Sequence, residues 1–270
     1  MRLRAPSPFP LVAGVALAIV LAFLAIPLVA VFVDVPPGDL LRALDDPSAR
    51  DALRLSLETS LMALGLIIAL GTPAAWLLAT RRFRGRAVLL TLVELPLVVP
   101  PAVAGIALLA ALGPQGLFGG ALADLGIELV LQRAGVVVAL TFVASPFYIR
   151  QAVAAFESVD RRLLEAARTL GAGEARTFLR VAVPLARPGL LAGAALAWGR
   201  ALGEFGATLM FAGSFRGVTQ TASLAIYERF ATDFTAALAL SAVLVAASAA
   251  ILLMTKLAMV GSEELHGAQR

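Results

Sequence analysis

The sequence predicts an all-α integral membrane protein with six transmembrane helices and a helical connection on one side of the membrane. Of its 270 residues, 60% are hydrophobic and 15% are charged, and the mean hydropathy is +0.91. A soluble domain carries about 25% charged residues. The apolar residues form long runs, each long enough for the roughly 20 residues that cross a bilayer as a helix. The charged residues lie mostly between these runs.

Six apolar segments account for the predicted spans. The first follows a short basic N-terminus, as a secretory signal peptide would, but its apolar stretch exceeds the 7–15 residues typical of a signal. The sequence Val31-Phe32-Val33-Asp34 is also not a small-residue cleavage site. We therefore expect a retained helix. The segments cover residues 9–33, 56–80, 87–112, 134–156, 183–212 and 234–260.

The basic residues predict the orientation. An even number of spans places both termini on one side, and cytoplasmic connections carry an excess of Lys and Arg. Fifteen basic residues, with Arg2, Arg4 and Arg270 among them, lie at the termini and in or beside connections 81–86 and 157–182, whereas six lie in the other connections. We expect both termini and connection 157–182 in the cytoplasm, and one transmembrane domain over residues 1–270. The partner of the basic residues is then the lipid bilayer and not nucleic acid.

Several kinds of chemistry have no residues to support them. The chain has no cysteine and a single histidine, His266, in a polar tail, so we expect no disulfide, no metal site and no catalytic centre. No G-x-x-x-x-G-K-[ST] pattern occurs, and the only lysine is Lys256. The chain therefore cannot bind a nucleotide in the P-loop manner. We therefore expect this chain to be neither an enzyme nor the holder of a cofactor.

Connection 157–182 is a polar, amphipathic block in an apolar chain. Asp160 is placed to cap a short helix from Arg161 to Leu170, and Gly171 supplies a left-handed stop. Charged neighbours three and four residues apart and an apolar stripe are typical of a surface helix. A second short helix, ending near Arg180, follows. We call this pair of predicted helices and the turn between them, residues 160–182, the knuckle.

The spacing in the knuckle resembles the EAA loop of permease subunits in bacterial ABC importers. That pattern is Glu-Ala-Ala, three residues, Gly, nine residues, an aliphatic residue, one residue, and an aliphatic residue followed by Pro. Val181 and Val183 replace the usual isoleucine and leucine, which is a conservative change. The resemblance implies a type I ABC importer permease fold, in which a coupling helix in this loop fits a cleft on a cytoplasmic ATPase. The matched, ATPase-coupling positions are Glu165, Ala166, Ala167, Gly171, Val181 and Pro184.

The resemblance also implies partners and a location. Six spans make a poor closed pathway alone, so we expect a homodimer with twelve spans. Two cytoplasmic ABC ATPase subunits would bind ATP and Mg, and an extracytoplasmic oxyanion-binding protein would deliver the cargo. The complex would lie in the cytoplasmic membrane of a bacterium or archaeon and work by alternating access.

Three further stretches resemble the molybdate (or tungstate) permeases. They are residues 95–101, 113–119 and 200–213, and the similarity extends from about residue 55 to 260. The family's pattern is not followed at residues 214–217, nor at Glu94, where no acid is expected. Sulfate permeases share the Gly-Glu-aromatic-Gly core, so sulfate or thiosulfate is the alternative substrate. An ion-coupled secondary transporter is the alternative mechanism.

The fifth segment contains the candidate pathway residues. Arg200 and Glu204 stand four apart, and charged side chains inside a bilayer are costly unless they are paired or face water. Three interpretations remain open: an ion pair that holds the fifth helices in a dimer, a contact of the oxyanion with Arg200, backbone amides and Thr208, or a gate at Glu204. Frequent glycines permit close helix packing or a break in the helix. The candidates are Arg200, Gly203, Glu204, Gly206 and Thr208.

Overall fold

The computed structural model describes residues 9–267, and these residues form helices and turns without a β-strand. Arg2, Arg4 and Arg270 lie outside the described residues, as do the side chains of Lys256 and His266. Thirteen α-helices and one π-helical turn (Phe178–Ala182) make up the described part. The α-helices are α1 (Phe9–Val33), α2 (Pro37–Asp45), α3 (Pro47–Thr80), α4 (Arg86–Val98), α5 (Pro101–Leu112), α6 (Gly119–Asp124), α7 (Arg133–Glu157), α8 (Arg161–Thr169), α9 (Glu174–Thr177), α10 (Val183–Leu202), α11 (Gly206–Ala212), α12 (Ala222–Phe230) and α13 (Phe234–Gly267).

Five helices in the described range are long and apolar enough to cross a membrane. They are α1, α3, α7, α13 and the continuous stretch Glu174–Leu202 that ends in α10. A sixth crossing requires α4 and α5 to act together as one bent span. The predicted all-α class is confirmed. Four of the six predicted segments correspond to single helices, the third corresponds to the bent pair, and the fifth corresponds to α10 followed by the short helix α11.

The third predicted span, residues 87–112, is not a continuous helix. The chain bends by 117° between α4 and α5. Pro96 lies inside α4, and Pro100 and Pro101 follow its end. Helix α4 continues past Pro96, but Pro100 and Pro101 have no N–H to donate to the preceding turn, so the helical hydrogen bonds of α4 end with that of the Val99 N–H to the Leu95 carbonyl. Pro101 instead occupies the first turn of α5, where a missing N–H costs nothing.

The fifth predicted segment, residues 183–212, is broken as well. Helix α10 ends at Leu202, and the N–H groups of Gly203 and Glu204 close its last turn on the carbonyls of Gly199 and Ala201, each at 3.2 Å. Residues 203–205 separate α10 from α11, which begins at Gly206. The break that the glycines permit is therefore present, and the second half of the segment is a separate short helix.

The second halves of the two broken segments pack on each other. A Cβ atom on Gly105 of α5 would lie 2.6 Å from both the Ala207 carbonyl oxygen and the Met210 Cβ of α11. A Cβ atom on Gly206 would lie 2.9 Å from the Pro101 Cβ. Helices in lipid associate through close packing of small residues. The glycines therefore allow α5 and α11 to approach at backbone distance.

Helix α7 is the centre of the packing, because it lies between α3 and α10. Its Tyr148 is only 1% exposed, and the Tyr148 and Thr72 hydroxyl groups share a hydrogen bond of 2.7 Å. Gly71 of α3 and Gly193 of α10 face the tyrosine ring, where added Cβ atoms would lie 3.0 and 3.3 Å from ring carbons. The three helices therefore form one tightly packed unit.

The connections opposite to the knuckle contain three short helices that the sequence did not predict: α2, α6 and α12. Asp46, just before α3, accepts a hydrogen bond from the Ser48 N–H (3.0 Å) and pairs with Arg229 at the end of α12. The hydrogen bond from Arg229 holds the pKa of Asp46 below its ordinary value, although burial opposes this shift. The stabilisation from this pair is therefore present at neutral pH and is lost as the pH falls through the lowered pKa.

The α5–α11 contact gives a packing prediction. Gly105→Ala should lower the free energy of unfolding by about 1–3 kcal/mol, because the new methyl group would overlap backbone atoms of α11. The measurement is thermal unfolding of the detergent-solubilised protein. Gly65→Ala is the matched control, since Gly65 also lies inside a helix and its Cβ would meet nothing within 4 Å. Equal melting temperatures for the two variants would show that the contact is looser than described.

Candidate functional site

Helix α8 forms where the sequence predicts it and ends one residue earlier, at Thr169. An oxygen of the Asp160 side chain accepts a hydrogen bond of 2.9 Å from the Arg162 N–H, which caps the first turn. Gly171 has a φ of +84°, a left-handed conformation that favours glycine. The Ala172 N–H then donates to the Ala167 carbonyl at 3.0 Å, which closes the end of the helix.

The two long faces of α8 differ in their surroundings. Leu164 is buried and packs on the helical core. Arg161, Glu165 and Arg168 lie on the same face of α8, beside the ends of α3 and α7. On the opposite face Leu170 is 88% exposed and Leu163 is 48% exposed, with the small Ala166 between them. The sequence predicts one apolar stripe of Leu163, Leu164, Ala167 and Leu170. In the structure this stripe is divided: Leu164 is buried in the protomer, whereas Leu163 and Leu170 present an uncovered apolar surface. We call Leu163, Ala166 and Leu170 the outer face of α8.

The second half of the knuckle differs from the predicted helix that ends near Arg180. Helix α9 passes through the π-helical turn directly into α10, and the Val183 N–H bonds to the carbonyl of Phe178, five residues back. Pro184 follows, in the first turn of α10, and offers no N–H to the preceding turn. Val181 is half-buried and Pro184 is exposed. The knuckle therefore continues into a transmembrane helix without a flexible joint.

Ion pairs attach the knuckle side of the protein to neighbouring helix ends. Arg81 and Glu174 lie 2.5 Å apart and connect the end of α3 with α9. Arg86 pairs with Glu157 at 2.5 Å and donates from Nε to the Leu78 carbonyl at 2.6 Å. These pairs join connection 81–86 to connection 157–182, as the basic-residue count predicts for two connections on one side. The sequence does not reveal which residues pair.

The break in the fifth segment is organised around Glu204, whose side chain is 1% exposed. One carboxylate oxygen accepts a hydrogen bond of 2.7 Å from the Ala207 N–H at the start of α11. The other lies 2.6 Å from a guanidinium nitrogen of Arg200, but the two are not aligned for a hydrogen bond, so this contact is an ion pair alone. The expected contact of Arg200 with Glu204 is therefore present within one protomer.

The remaining candidate pathway residues have different environments. Thr208 is fully buried, and its hydroxyl has no hydrogen-bond partner among the described residues. Gly206 packs against Pro101, whereas Gly203 is exposed. The hydroxyl of Thr221, at the start of α12, is also buried without a described partner. The sequence gives no signal of the burial of Thr221, because a threonine in a loop has no periodic pattern that would indicate it.

Polar contacts connect the start of α12 to α3 and α10, and also connect α3 to α10. Ser56 accepts a hydrogen bond of 2.7 Å from the Ala222 N–H, and the Ser223 hydroxyl donates to the Leu202 carbonyl at 3.1 Å. Ser60 accepts one of 3.0 Å from the Trp198 indole. These hydrogen bonds provide partners for backbone and side-chain polar groups, which lipid chains could not provide. They fix the connection after α11 against the bundle.

Glu94, the acid that departs from the family's pattern, has a counter-ion. One of its carboxylate oxygens lies 3.2 Å from Arg150 Nε, and the two side chains are 44% and 60% exposed in the protomer. Both residues lie about two turns from the knuckle end of their helices. A charged pair at this depth of a predicted span is costly when it faces lipid.

The bundle of broken membrane helices, together with the rigid knuckle at one end, defines the chain as a membrane-spanning transport subunit. The chain belongs to the family described as binding-protein-dependent transport system inner membrane component, whose sequence profile matches residues 67–260. It is thus a multi-pass membrane permease, as the resemblance of the knuckle implies.

Individual relatives support the same family. The chain is 43% identical over 246 residues to the molybdenum transport system permease protein ModB of Mycobacterium tuberculosis, with 90% of each protein covered. It is 40% identical over 190 residues to ModB of Escherichia coli K12, covering 70% of this chain and 82% of the relative.

A solved structure supports the fold. A bacterial ABC transporter involved in the import of the acidic polysaccharide alginate matches with a TM-score of 0.73 and 18% identity, over 93% of this chain and 95% of the other. At that identity the likeness shows the fold alone. The expected ABC importer permease fold is confirmed.

The geometry at Glu204 gives a stability prediction. Glu204→Gln keeps an acceptor for the Ala207 N–H but leaves Arg200 without its counter-ion. Removing one member of a buried pair costs about 3–5 kcal/mol, and we expect the lower end because the Arg200 side chain is 26% exposed. Thermal unfolding in detergent measures the loss.

The double variant Arg200→Gln/Glu204→Gln is the control for this prediction. It should regain part of the lost stability, since it leaves no unpaired charge. If the double variant is no more stable than Glu204→Gln alone, the ion pair does not couple the two residues.

Proposed function

We propose that the chain is the transmembrane permease subunit of an ATP-driven ABC importer that moves molybdate or tungstate into the cytoplasm by alternating access. The observation that carries the substrate is the 43% identity, over 90% of both proteins, to a permease named for molybdenum transport. The stretch 200–213, which contains the Glu204 break, supports the same assignment because it resembles the molybdate permeases along its whole length.

The outer face of α8 is the proposed docking surface for the ATPase. It is apolar and exposed, and a small alanine at its centre permits close approach of a partner. Glu165, Ala166, Ala167, Gly171, Val181 and Pro184 are the proposed coupling residues. Two ATPase subunits, which bind ATP and Mg, would each receive one knuckle, and both termini of the permease would lie on the same, cytoplasmic side.

The proposed assembly is a homodimer. In the protomer no residue of α1 or α4 is buried, and the Glu94–Arg150 pair lies on an exposed surface. A second copy would cover part of this surface and leave the charged pair beside a water-filled pathway between the copies. An extracytoplasmic oxyanion-binding protein would deliver the cargo at the end that carries α2, α6 and α12.

Arg200, Gly203, Glu204, Gly206 and Thr208 are the proposed pathway or gate residues. The Arg200 charge is mostly neutralised by Glu204, which argues against a strong oxyanion site here. This agrees with the needs of transport, because a tight site in the pathway would slow release. Selectivity then resides mainly in the binding protein, and the break in the fifth segment serves as the moving part.

Uptake into proteoliposomes tests the proposal. The permease is reconstituted with its ATPase and binding protein, and uptake of labelled molybdate is measured with and without ATP. We expect uptake only with ATP and all components, and little competition from excess sulfate. Uptake without the ATPase would contradict the importer and favour an ion-coupled transporter, whereas equal competition by sulfate would favour a sulfate or thiosulfate permease.

The turn at Gly171 allows a separate test of coupling. Gly171→Val should weaken association with the ATPase by roughly fivefold or more, because a left-handed φ costs a non-glycine residue about 1–2 kcal/mol and the turn will relax by moving α8. Co-purification with the ATPase at varied concentration measures this. Gly173→Val is the control, since Gly173 has an ordinary φ of −66° and open space around its Cα. Equal association of both variants would mean that the geometry of this turn does not position the docking surface.

A further inference from the structure

A cavity of about 790 Å³ lies beneath the knuckle, between the ends of α3 and α7, the start of α4, and helices α8 and α9. It is separate from the pathway residues, which belong to the α10–α11 break. Its walls come from connections 81–86 and 157–182, the two that carry the greatest excess of arginine. It therefore lies where the helical bundle meets the proposed cytoplasmic surface.

The cavity has a surplus of positive charge. Five arginines and three glutamates line it: Arg81, Arg82, Arg86, Arg161, Arg168, Glu157, Glu165 and Glu174. Two of the glutamates are engaged by Arg81 and Arg86. Arg82, Arg161 and Arg168 have no ion-pair partner among the described residues, and Glu165 is the one lining carboxylate that is not paired there.

The inner wall of the cavity is apolar and aromatic. Trp76 meets Phe156 edge to face, with ring centroids 5.4 Å apart. Leu77, also in this wall, is 51% exposed and lies in the last turn of α3. A ligand suited to this cavity therefore combines an anionic group with an apolar portion.

The cavity and the outer face of α8 lie on opposite sides of that helix. Arg161, Glu165 and Arg168, spaced by four and three residues, share the cavity side with Leu164. Leu163, Ala166 and Leu170 lie on the other side. An ATPase bound to the outer face would therefore leave the cavity side of α8 uncovered, and both surfaces can be occupied together. Glu165, a proposed coupling residue on the cavity side, would then act through the position of α8 and not by contact with the ATPase.

We propose that this cavity binds the phosphate headgroup of an anionic phospholipid. Arg82, Arg161 and Arg168 would surround the phosphate, because guanidinium groups form charge-assisted hydrogen bonds to its oxygens, and an acyl chain would extend along Leu77. Free phosphate shares the headgroup chemistry but not the apolar portion. The bound lipid would brace α8 against α3, so the inference goes beyond the proposed substrate and does not depend on it.

The two tryptophans of the chain provide the assay. Trp198→Phe leaves Trp76, in the cavity wall, as the only tryptophan. This protein is placed in nanodiscs that contain phosphatidylglycerol or phosphatidylcholine with brominated acyl chains at equal mole fraction, and quenching of Trp76 is measured. We expect stronger quenching by phosphatidylglycerol. Arg161→Gln should reduce the preference for phosphatidylglycerol about fivefold, the effect of one arginine near an anionic membrane surface.

Arg162→Gln is the matched control, because Arg162 is adjacent in α8 and does not line the cavity. It should leave the preference unchanged, and Arg161→Lys, which keeps the positive charge, should retain most of it. Equal quenching by both lipids, or equal losses for Arg161→Gln and Arg162→Gln, would overturn the site. A Trp76 emission change on adding inorganic phosphate to phosphatidylcholine nanodiscs would overturn the lipid assignment in favour of a free anion.

Discussion

The buried Glu204 carboxylate is the interaction on which the arrangement of the two broken segments depends. Lipid offers no hydrogen-bond partner to the backbone groups at the end of one helix and the start of the next. Glu204 satisfies the Ala207 N–H at 2.7 Å and neutralises Arg200 at 2.6 Å, and a negative group is electrostatically favoured at a helix start. Because this carboxylate fixes the start of α11, it also fixes the α11 surface on which α5 packs.

One continuous helical stretch connects α9, in the second half of the knuckle, with the Glu204 break. The stretch Glu174–Leu202 is continuous, including its π-helical turn, and α7 packs along it. A displacement of α9 by a partner would therefore reach the break through continuous helix, whereas α8 joins this stretch through the turn at residues 170–173. The ion pairs of Arg81 and Arg86 tie the same end to α3, α4 and α7. The proposed docking surface on α8 is thus joined by one short turn to the helix that ends at the proposed pathway residues.

The protomer leaves three kinds of surface uncovered, and each has its own chemistry. The outer face of α8 is apolar and lies outside the predicted spans, which suits a protein partner. The Glu94–Arg150 surface is charged within a predicted span, which suits a water-filled pathway between two copies. The cavity under α8 is cationic with an aromatic wall, which suits the proposed lipid headgroup. These differences follow from the residues that line each surface, and they allow the proposed partners to bind at the same time.

The sequence by itself determined the all-α membrane class, the approximate positions of the spans, the short helix from Arg161, and the importer family, because these depend on local composition and spacing. It also placed Arg200 and Glu204 within reach of each other, since residues four apart on a helix are neighbours. Only the tertiary structure decided the 117° bend after Val98, the contact of α5 with α11, and which arginines near the knuckle have partners. Proline and glycine show where a helix can end, but the direction that the chain then takes depends on close contacts such as Gly105 with Ala207. Those contacts join residues about a hundred positions apart, and no local pattern records them.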